Sequence, residues 1–285
     1  MKRLITLFMI FILALSFTAC GDSGSDEGTK DSSDLAFSEV TAADNDEYSI
    51  KITGIEPDNE YGFTLKALFE NKSSDKTYMY SVYSASINGV KCDPFFATTV
   101  AAGKKAKEEI SFMTDDLEAN GLTEFTEIEL TFDVYDEDDW EAAGTAIETV
   151  VIYPYGEEKA STYVREPQSS DVVLIDNEYA TLISTGFEQD ELWGYTANLF
   201  LVNKTEKNLM FSADDVSVNG YMLDPLYAEL VPAGKCAFGF MSWFTDEFED
   251  NDITNVEEIE FLLSIYDDDD WSSDYLVEQK VTLNP

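Results

Sequence analysis

The sequence contains no histidine. That absence excludes Ser-His-Asp and Cys-His nucleophile systems, His-ligated zinc and imidazole acid–base chemistry. Carboxylates remain, and enzymes such as glycosidases work with those alone, so the enzyme class is reduced and not eliminated. Cysteine is scarce, with only Cys20, Cys92 and Cys236. Positive charge is scarce too: 17 Lys and Arg stand against 58 Asp and Glu, a net charge of −41. A field of that sign repels nucleic-acid backbones and anionic headgroups, so no nucleic-acid partner is expected. Divalent cations, basic proteins and neutral glycans stay open. No long segment has helical periodicity, and only Asp115 to Asn120 suggests a short helical turn. The longest apolar run, Leu4 to Phe17, falls short of the ~20 residues that span a bilayer as a helix.

The hydrophobic content, 44% with 13% aromatic, is enough to build real cores. Lys2 and Arg3 ahead of the Leu4–Phe17 run have the pattern of a secretory signal peptide. The run ends in Phe17-Thr18-Ala19-Cys20-Gly21, which resembles the lipobox of bacterial lipoproteins, with Phe17 in place of the usual Leu. The resemblance implies cleavage before Cys20, a diacylglycerol on its sulfur, and a lipid-anchored, extracellular position on the outer face of the bacterial cytoplasmic membrane. Residues 1–19 are then a leader. Residues 20–35 are polar until Leu35 and suit a flexible acidic tether, since they bury too little to offset their ordering entropy.

The strongest signal is internal repetition. Residues 88–140 align with 219–271 without a gap and are identical at nearly half of the positions. Asn88-Gly89 matches Asn219-Gly220, Asp93-Pro94 matches Asp224-Pro225, and Asp138-Asp139-Trp140 matches Asp269-Asp270-Trp271. Upstream, Gly62 pairs with Gly194 and Asn71-Lys72 with Asn203-Lys204. The expected layout is one domain over 36–156, a linker over 157–171 rich in turn residues and charge, and a second domain over 172–285.

Each copy reads as a strand-built unit. Ile128, Leu130, Phe132 and Val134 alternate with Glu127, Glu129, Thr131 and Asp133, and Ile259, Phe261, Leu263 and Ile265 repeat the inward set. Asn-Gly between strand-like runs suits a type I′ hairpin turn. About seven strands per copy predict an all-β fold of two tandem antiparallel β-sandwiches. Size, strand count and the Tyr-Asp-x-Asp-Asp-Trp ending of each copy resemble the immunoglobulin-like or telokin-like domains of Gram-positive surface lipoproteins. That resemblance implies a fold and an address, and brings no catalytic residue.

Four candidate sites follow. The acidic turns place Asp136, Asp138 and Asp139, and again Asp267, Asp269 and Asp270, close enough for a calcium ion to relieve their repulsion, although the Gly and distal Glu of an EF-hand are missing; the alternative is a solvated turn with Trp140 and Trp271 as lids on each core. Lys105, Lys107 and Glu109 on one strand face of copy one become Cys236, Phe238 and Phe240 in copy two, so Phe238 and Phe240 are expected to be covered by domain one or by a partner. Cys92 and Cys236 occupy non-equivalent places and are expected as free thiols. Tyr78, Tyr80, Tyr83, Tyr195, Tyr221 and Tyr227 offer either sugar-stacking faces or core packing, and the sequons at Asn71 and Asn203 read first as turns. Together these features favour a membrane-anchored, non-enzymatic binding module for an unknown protein or glycan. A carboxylate-dependent enzyme on cell-wall or glycan substrates and a calcium-stabilised spacer are the alternatives. No cofactor is expected beyond that calcium.

Overall fold

The computed structural model describes residues 35–285, apart from Phe95, Thr145, Glu191, Trp271 and the side chain of Asp116. The leader, Cys20 and all of the tether up to residue 34 lie outside the described residues. What is described is all-β, with two short helices, α1 (Asp115–Ala119) and α2 (Thr245–Asp250). The first half holds β1 (Val40–Asp44), β2 (Tyr48–Asn59), β3 (Gly62–Asn71), β4 (Tyr78–Ile87), β5 (Val90–Cys92), β6 (Ala97–Val100), β7 (Lys105–Phe112), β8 (Ile128–Asp136) and β9 (Ile147–Ile152). The second half repeats them as β10 (Val172–Asp176), β11 (Ala180–Asp190), β12 (Gly194–Asn203), β13 (Leu209–Val218), β14 (Tyr221–Met222), β15 (Ala228–Val231), β16 (Cys236–Trp243), β17 (Ile259–Asp267) and β18 (Val277–Leu283). The count exceeds seven per copy because β1 and β10 lack clear alternation and because β5 and β14 are very short.

The two halves share one plan. Strand order β1-β2-β3-β7 recurs as β10-β11-β12-β16, and β5-β4-β8-β9, with β6 on β4, recurs as β14-β13-β17-β18, with β15 on β13. The duplication extends to irregularities: bulges at Thr41/Ala43 and Ile52/Gly54 reappear at Val173/Ile175 and Ser184/Gly186. Each half has its own buried cluster. One contains Ile50, Leu65, Phe69, Tyr80, Ile110 and Phe132, the other Leu182, Leu201, Phe211, Met241, Trp243 and Phe261. The inward sets of β8 and β17 are buried as their alternation requires. Asp133 departs from the pattern. It is buried, its Oδ2 accepts the Gly144 N–H at 2.8 Å, and burial raises its carboxyl above the usual range.

Both Asn-Gly hairpin turns have positive φ at both central residues, 50° and 83° at Asn88-Gly89 and 50° and 82° at Asn219-Gly220, as a type I′ turn demands. Asn88 is also a buried junction. Its Oδ1 accepts the N–H groups of Thr126 (2.9 Å) and Glu127 (3.0 Å), and its Nδ2 donates to the Glu124 carbonyl at 2.7 Å.

The halves are not separate beads. β16 pairs in parallel with β5, Cys236 opposite Val90, and the Cys236 N–H donates to the Gly89 carbonyl at 3.0 Å. A nine-stranded sheet results, running from β10 to β9 through both halves. Two ion pairs cross the same seam: Lys91 with Glu229 at 2.8 Å and Lys235 with Glu129 at 3.2 Å. Burial works against the Lys91 ammonium, but the charge and hydrogen bond of Glu229, helped by Asp93, outweigh it and hold its pKa above the ordinary value. Residues 157–171 act as a fastened strap. The Tyr163 N–H donates to the Asn88 carbonyl (2.8 Å), Ser161 and Thr126 hydroxyls meet at 2.9 Å, and Arg165 grips Asp171 through two bonds of 2.7 and 2.8 Å. The Arg165 guanidinium also sits 5.5 Å from the Phe200 ring centre.

Candidate ligand cleft at the seam

The outer face of the β10-β11-β12-β16 sheet looks toward the first half, and its residues can be compared position by position with their twins on β2, β3 and β7. Copy one carries Lys51, Glu56, Tyr61, Lys66, Leu68, Lys107 and Glu109. Copy two carries Ile183, Glu188, Trp193, Asn198, Phe200, Phe238 and Phe240. Three lysines are gone and the face has become aromatic. In copy one Lys66 pairs with Glu56 at 2.9 Å. In copy two the twin of that lysine is Asn198, whose Nδ2 donates to Glu188 at 2.8 Å.

One end of this face is closed. Phe238 packs on Phe200 (ring centres 5.2 Å apart) and on Tyr163 of the strap (5.9 Å), and it touches the core of the first half. The other end is open. Phe240 is 42% exposed and Trp193 41%. Their ring centres lie 5.7 Å apart with planes at 46°, an aromatic corner. The β11–β12 turn sets Trp193 in place. Asp190 Oδ1 accepts the N–H groups of Leu192 and Trp193, both at 2.7 Å. Gly194 has φ 75°, and a Cβ there would lie 2.1 Å from the Trp243 carbonyl oxygen, so only glycine fits. Gly62 holds the same place in copy one, 2.2 Å from the Phe112 carbonyl oxygen.

The open end forms a cleft of about 590 Å³, a size usual for small-ligand sites. Phe240, Trp193, Asn198 and Glu188 line its second-half side; Met113, Pro94, Asp93 and Lys91 line the first-half side. Lys91 is committed to Glu229 and Asp93. Glu188 forms no ion pair among the described residues, and it stands in solvent. The arrangement provides an apolar shelf, amide and carboxylate hydrogen-bonding groups beside it, and a net negative wall.

The remaining sequence candidates sit elsewhere. Asp136 Oδ1 accepts the Asp138 N–H (3.2 Å), and Asp267 Oδ1 accepts the Asp269 N–H (3.1 Å). Asp267 Oδ2 bonds Lys207 at 2.5 Å, which holds its carboxyl below the usual range. Asp270 Oδ1 accepts the Ser272 N–H at 3.2 Å. Among the described residues no group of three or more Asp, Glu, Cys or His converges at metal-ligand spacing. The calcium expectation for Asp136, Asp138, Asp139, Asp267, Asp269 and Asp270 therefore finds no assembled ligand set, and the carboxylates of Asp136, Asp267 and Asp270 cap their own turns. Trp140 is 75% exposed and covers no core, which corrects its reading as a lid; Trp271 lies outside the described residues. Cys92 and Cys236 are free thiols on the adjacent strands β5 and β16, so the two halves approach much more closely than their non-equivalent positions suggested. Burial raises both, Cys236 to about 11. Asn71 and Asn203 are buried with their amides donating to backbone carbonyls, as turn residues do. Tyr78 and Tyr80 are core; Tyr83 and Tyr221 are exposed. Trp193 and Asn198, central to the cleft, escaped sequence reasoning, although the alignment of Tyr61 with Trp193 and Lys66 with Asn198 carried the signal.

No family model and no curated protein matches the chain. Among solved structures, red sea bream transglutaminase is 14% identical with a TM-score of 0.23 and aligns over 79% of this chain. The chain spans 30% of that transglutaminase. The YadV chaperone is 10% identical with a TM-score of 0.22, covering 78% of this chain and 92% of its own. At such TM-scores neither likeness bears on fold or activity.

Proposed function

We propose that the protein is a non-enzymatic binding module of a bacterial surface lipoprotein, anchored through acylated Cys20 to the outer face of the cytoplasmic membrane. In this reading the chain is two tandem immunoglobulin-like sandwiches, and the cleft at their seam takes a small ligand or glycan unit that offers an apolar face to Trp193 and Phe240. The observation that carries it is the one-sided change between copies: a charged, wet sheet face in copy one corresponds to an aromatic, lysine-free face in copy two, at the open end of a cleft. Anions are disfavoured by Glu188, Asp190 and Asp93. The carboxylate-enzyme alternative has less support, because Asp190 is occupied by two turn N–H groups and Glu188 is in solvent, without the apolar enclosure that tunes a catalytic acid.

Two measurements test it. Cys20→Ser should move the protein from the membrane fraction to the soluble fraction; unchanged partitioning removes the anchor. Saturation-transfer NMR with a fixed panel of neutral saccharides and organic amines should show a binder that the Trp193→Ala/Phe240→Ala pair abolishes and Trp140→Phe leaves alone. A panel bound equally by all three proteins removes the cleft.

A further inference from the structure

The cleft has a property that its aromatic shelf alone does not explain. Copy one supplies its own ammonium to this face, Lys66 Nζ on Glu56 at 2.9 Å. Copy two keeps the carboxylate at the equivalent place, Glu188, and replaces the lysine by Asn198. The carboxylate is thus kept while its balancing charge is lost: the neutral Asn198 amide holds one Glu188 oxygen where copy one has an ammonium. Beside it stands the Trp193–Phe240 corner, two partly exposed rings at 46° whose negative faces attract a cation. On the opposing wall Lys91 is shared between Asp93 (3.2 Å) and Glu229 (2.8 Å), so two carboxylates stand against one ammonium and that wall stays negative.

We infer, resting on the cleft reading above, that the ligand is an organic cation bearing an alkylammonium or quaternary ammonium group, which supplies beside Glu188 the positive charge that Lys66 supplies in copy one. The charged head lies between Glu188 and the aromatic corner, and its carbon shell packs on the rings. A bare metal ion does not suit this corner, because it needs several converging oxygen ligands, which no group of the described residues supplies. An anion meets three carboxylates. A neutral sugar would gain the shelf and nothing from the vacated charge. The strongly acidic surface concentrates cations around the molecule at low ionic strength.

The test is isothermal titration calorimetry of the mature lipidated protein in phosphatidylglycerol nanodiscs, with empty nanodiscs as the blank. Four probes are used: choline, its uncharged carbon isostere neohexanol, Nα-acetyl-lysine amide and cellobiose. Choline or the lysine amide should bind at least tenfold more tightly than neohexanol, and the preference between those two tells a quaternary ammonium from a primary one. Asn198→Lys, which restores the residue that copy one tolerates on the same backbone, should weaken amine binding by tenfold or more while circular dichroism stays unchanged. Trp193→Ala should weaken it by roughly two- to thirtyfold. Neohexanol binding as tightly as the better of choline and the lysine amide, or full binding by Asn198→Lys, overturns the ammonium assignment. Cellobiose binding that is lost in Trp193→Ala, with both ammonium probes inert, overturns the ammonium class and leaves the cleft standing. Silence with all four probes overturns the ammonium class as well.

Discussion

Replacing Phe238 by lysine, the residue its twin position carries in copy one, should loosen the seam between the halves. Phe238 is half-buried against Phe200, Tyr163 and the first-half core. A buried aromatic ring covers 150–250 Å², so half-burial removes roughly 100 Å² from water, about 2.5 kcal/mol at ~25 cal/mol/Å². Two ring contacts add about 1 kcal/mol, and the lysine stem recovers part of the loss by lying along the same surface. The expected cost is about 2–3 kcal/mol. The matching change at the exposed ring, Phe240→Glu, should cost less than about 0.5 kcal/mol, as surface substitutions do. Limited trypsin digestion at Arg165 reads the difference, because that side chain is held by Asp171 and Phe200 and must come free to be cut, whereas Lys159 is exposed throughout. If cleavage follows the open population, Phe238→Lys should speed it by roughly 30- to 150-fold and Phe240→Glu hardly at all. Equal cleavage rates for the two variants would refute the claim that Phe238 closes the seam.

Other outcomes follow from single residues. Asn88→Ala should cost about 3–5 kcal/mol in denaturant melts, since it strands the buried N–H groups of Thr126 and Glu127 and puts a non-glycine side chain without hydrogen bonds at φ 50°; Asn219→Ala, in a more exposed copy of the junction, should cost clearly less. Arg165→Ala should cost about 2 kcal/mol near neutral pH, below the range for deeply buried pairs because the strap lies at the surface. The Arg165 hydrogen bond lowers the Asp171 carboxyl below its ordinary 3.8. A depressed carboxyl contributes stability that is present above the unfolded value and lost as pH falls through the folded one. The gap between native and Arg165→Ala melts should therefore hold above pH 5 and close below about pH 3; a gap that widens in acid counts against the pair. Cys236, raised to about 11 by burial, should react with a disulfide reagent at pH 8 far more slowly than an exposed thiol, and Phe238→Lys should accelerate it. Grafting copy two's edge onto copy one, Lys105→Cys with Lys107→Phe and Glu109→Phe, should give concentration-dependent head-to-tail oligomers by sedimentation. The edge strand β14, which pairs with β13 on one side and has Tyr221 50% and Met222 64% exposed, is the twin of the strand that β16 already pairs with.

How much of this was readable beforehand varied with the range of the physics involved. Alternation along β8 and β17 and the Asn-Gly turns are local signals, and they placed the strands and hairpins. The gap-free repeat placed the equivalent elements of the two halves. Asp133 escaped because its period-two position is wet in an isolated hairpin and is buried only once the Gly144 loop folds over it. The exposure of Trp140 is not legible in the sequence, because a ring after a strand can point either way. The seam itself, β16 on β5, depends on a rigid approach of two halves that no local pattern encodes, although Cys236 and Phe238 on a face that is charged in copy one hinted at cover. The cleft was the least legible part, since its walls come from β12, β16 and the first-half loops, and its meaning emerges only when Lys66 is set against Asn198 and Tyr61 against Trp193.

The most direct test of the account is a map of intermolecular NOEs from the tightest binder of the saccharide and amine panel. The seam cleft predicts contacts from that ligand to the Trp193 ring of the second half and to the Met113 methyl of the first half, both lost on Asn198→Lys or Trp193→Ala when the binder is an amine. Contacts confined to one half, or to Tyr83 and the acidic turns, would contradict it.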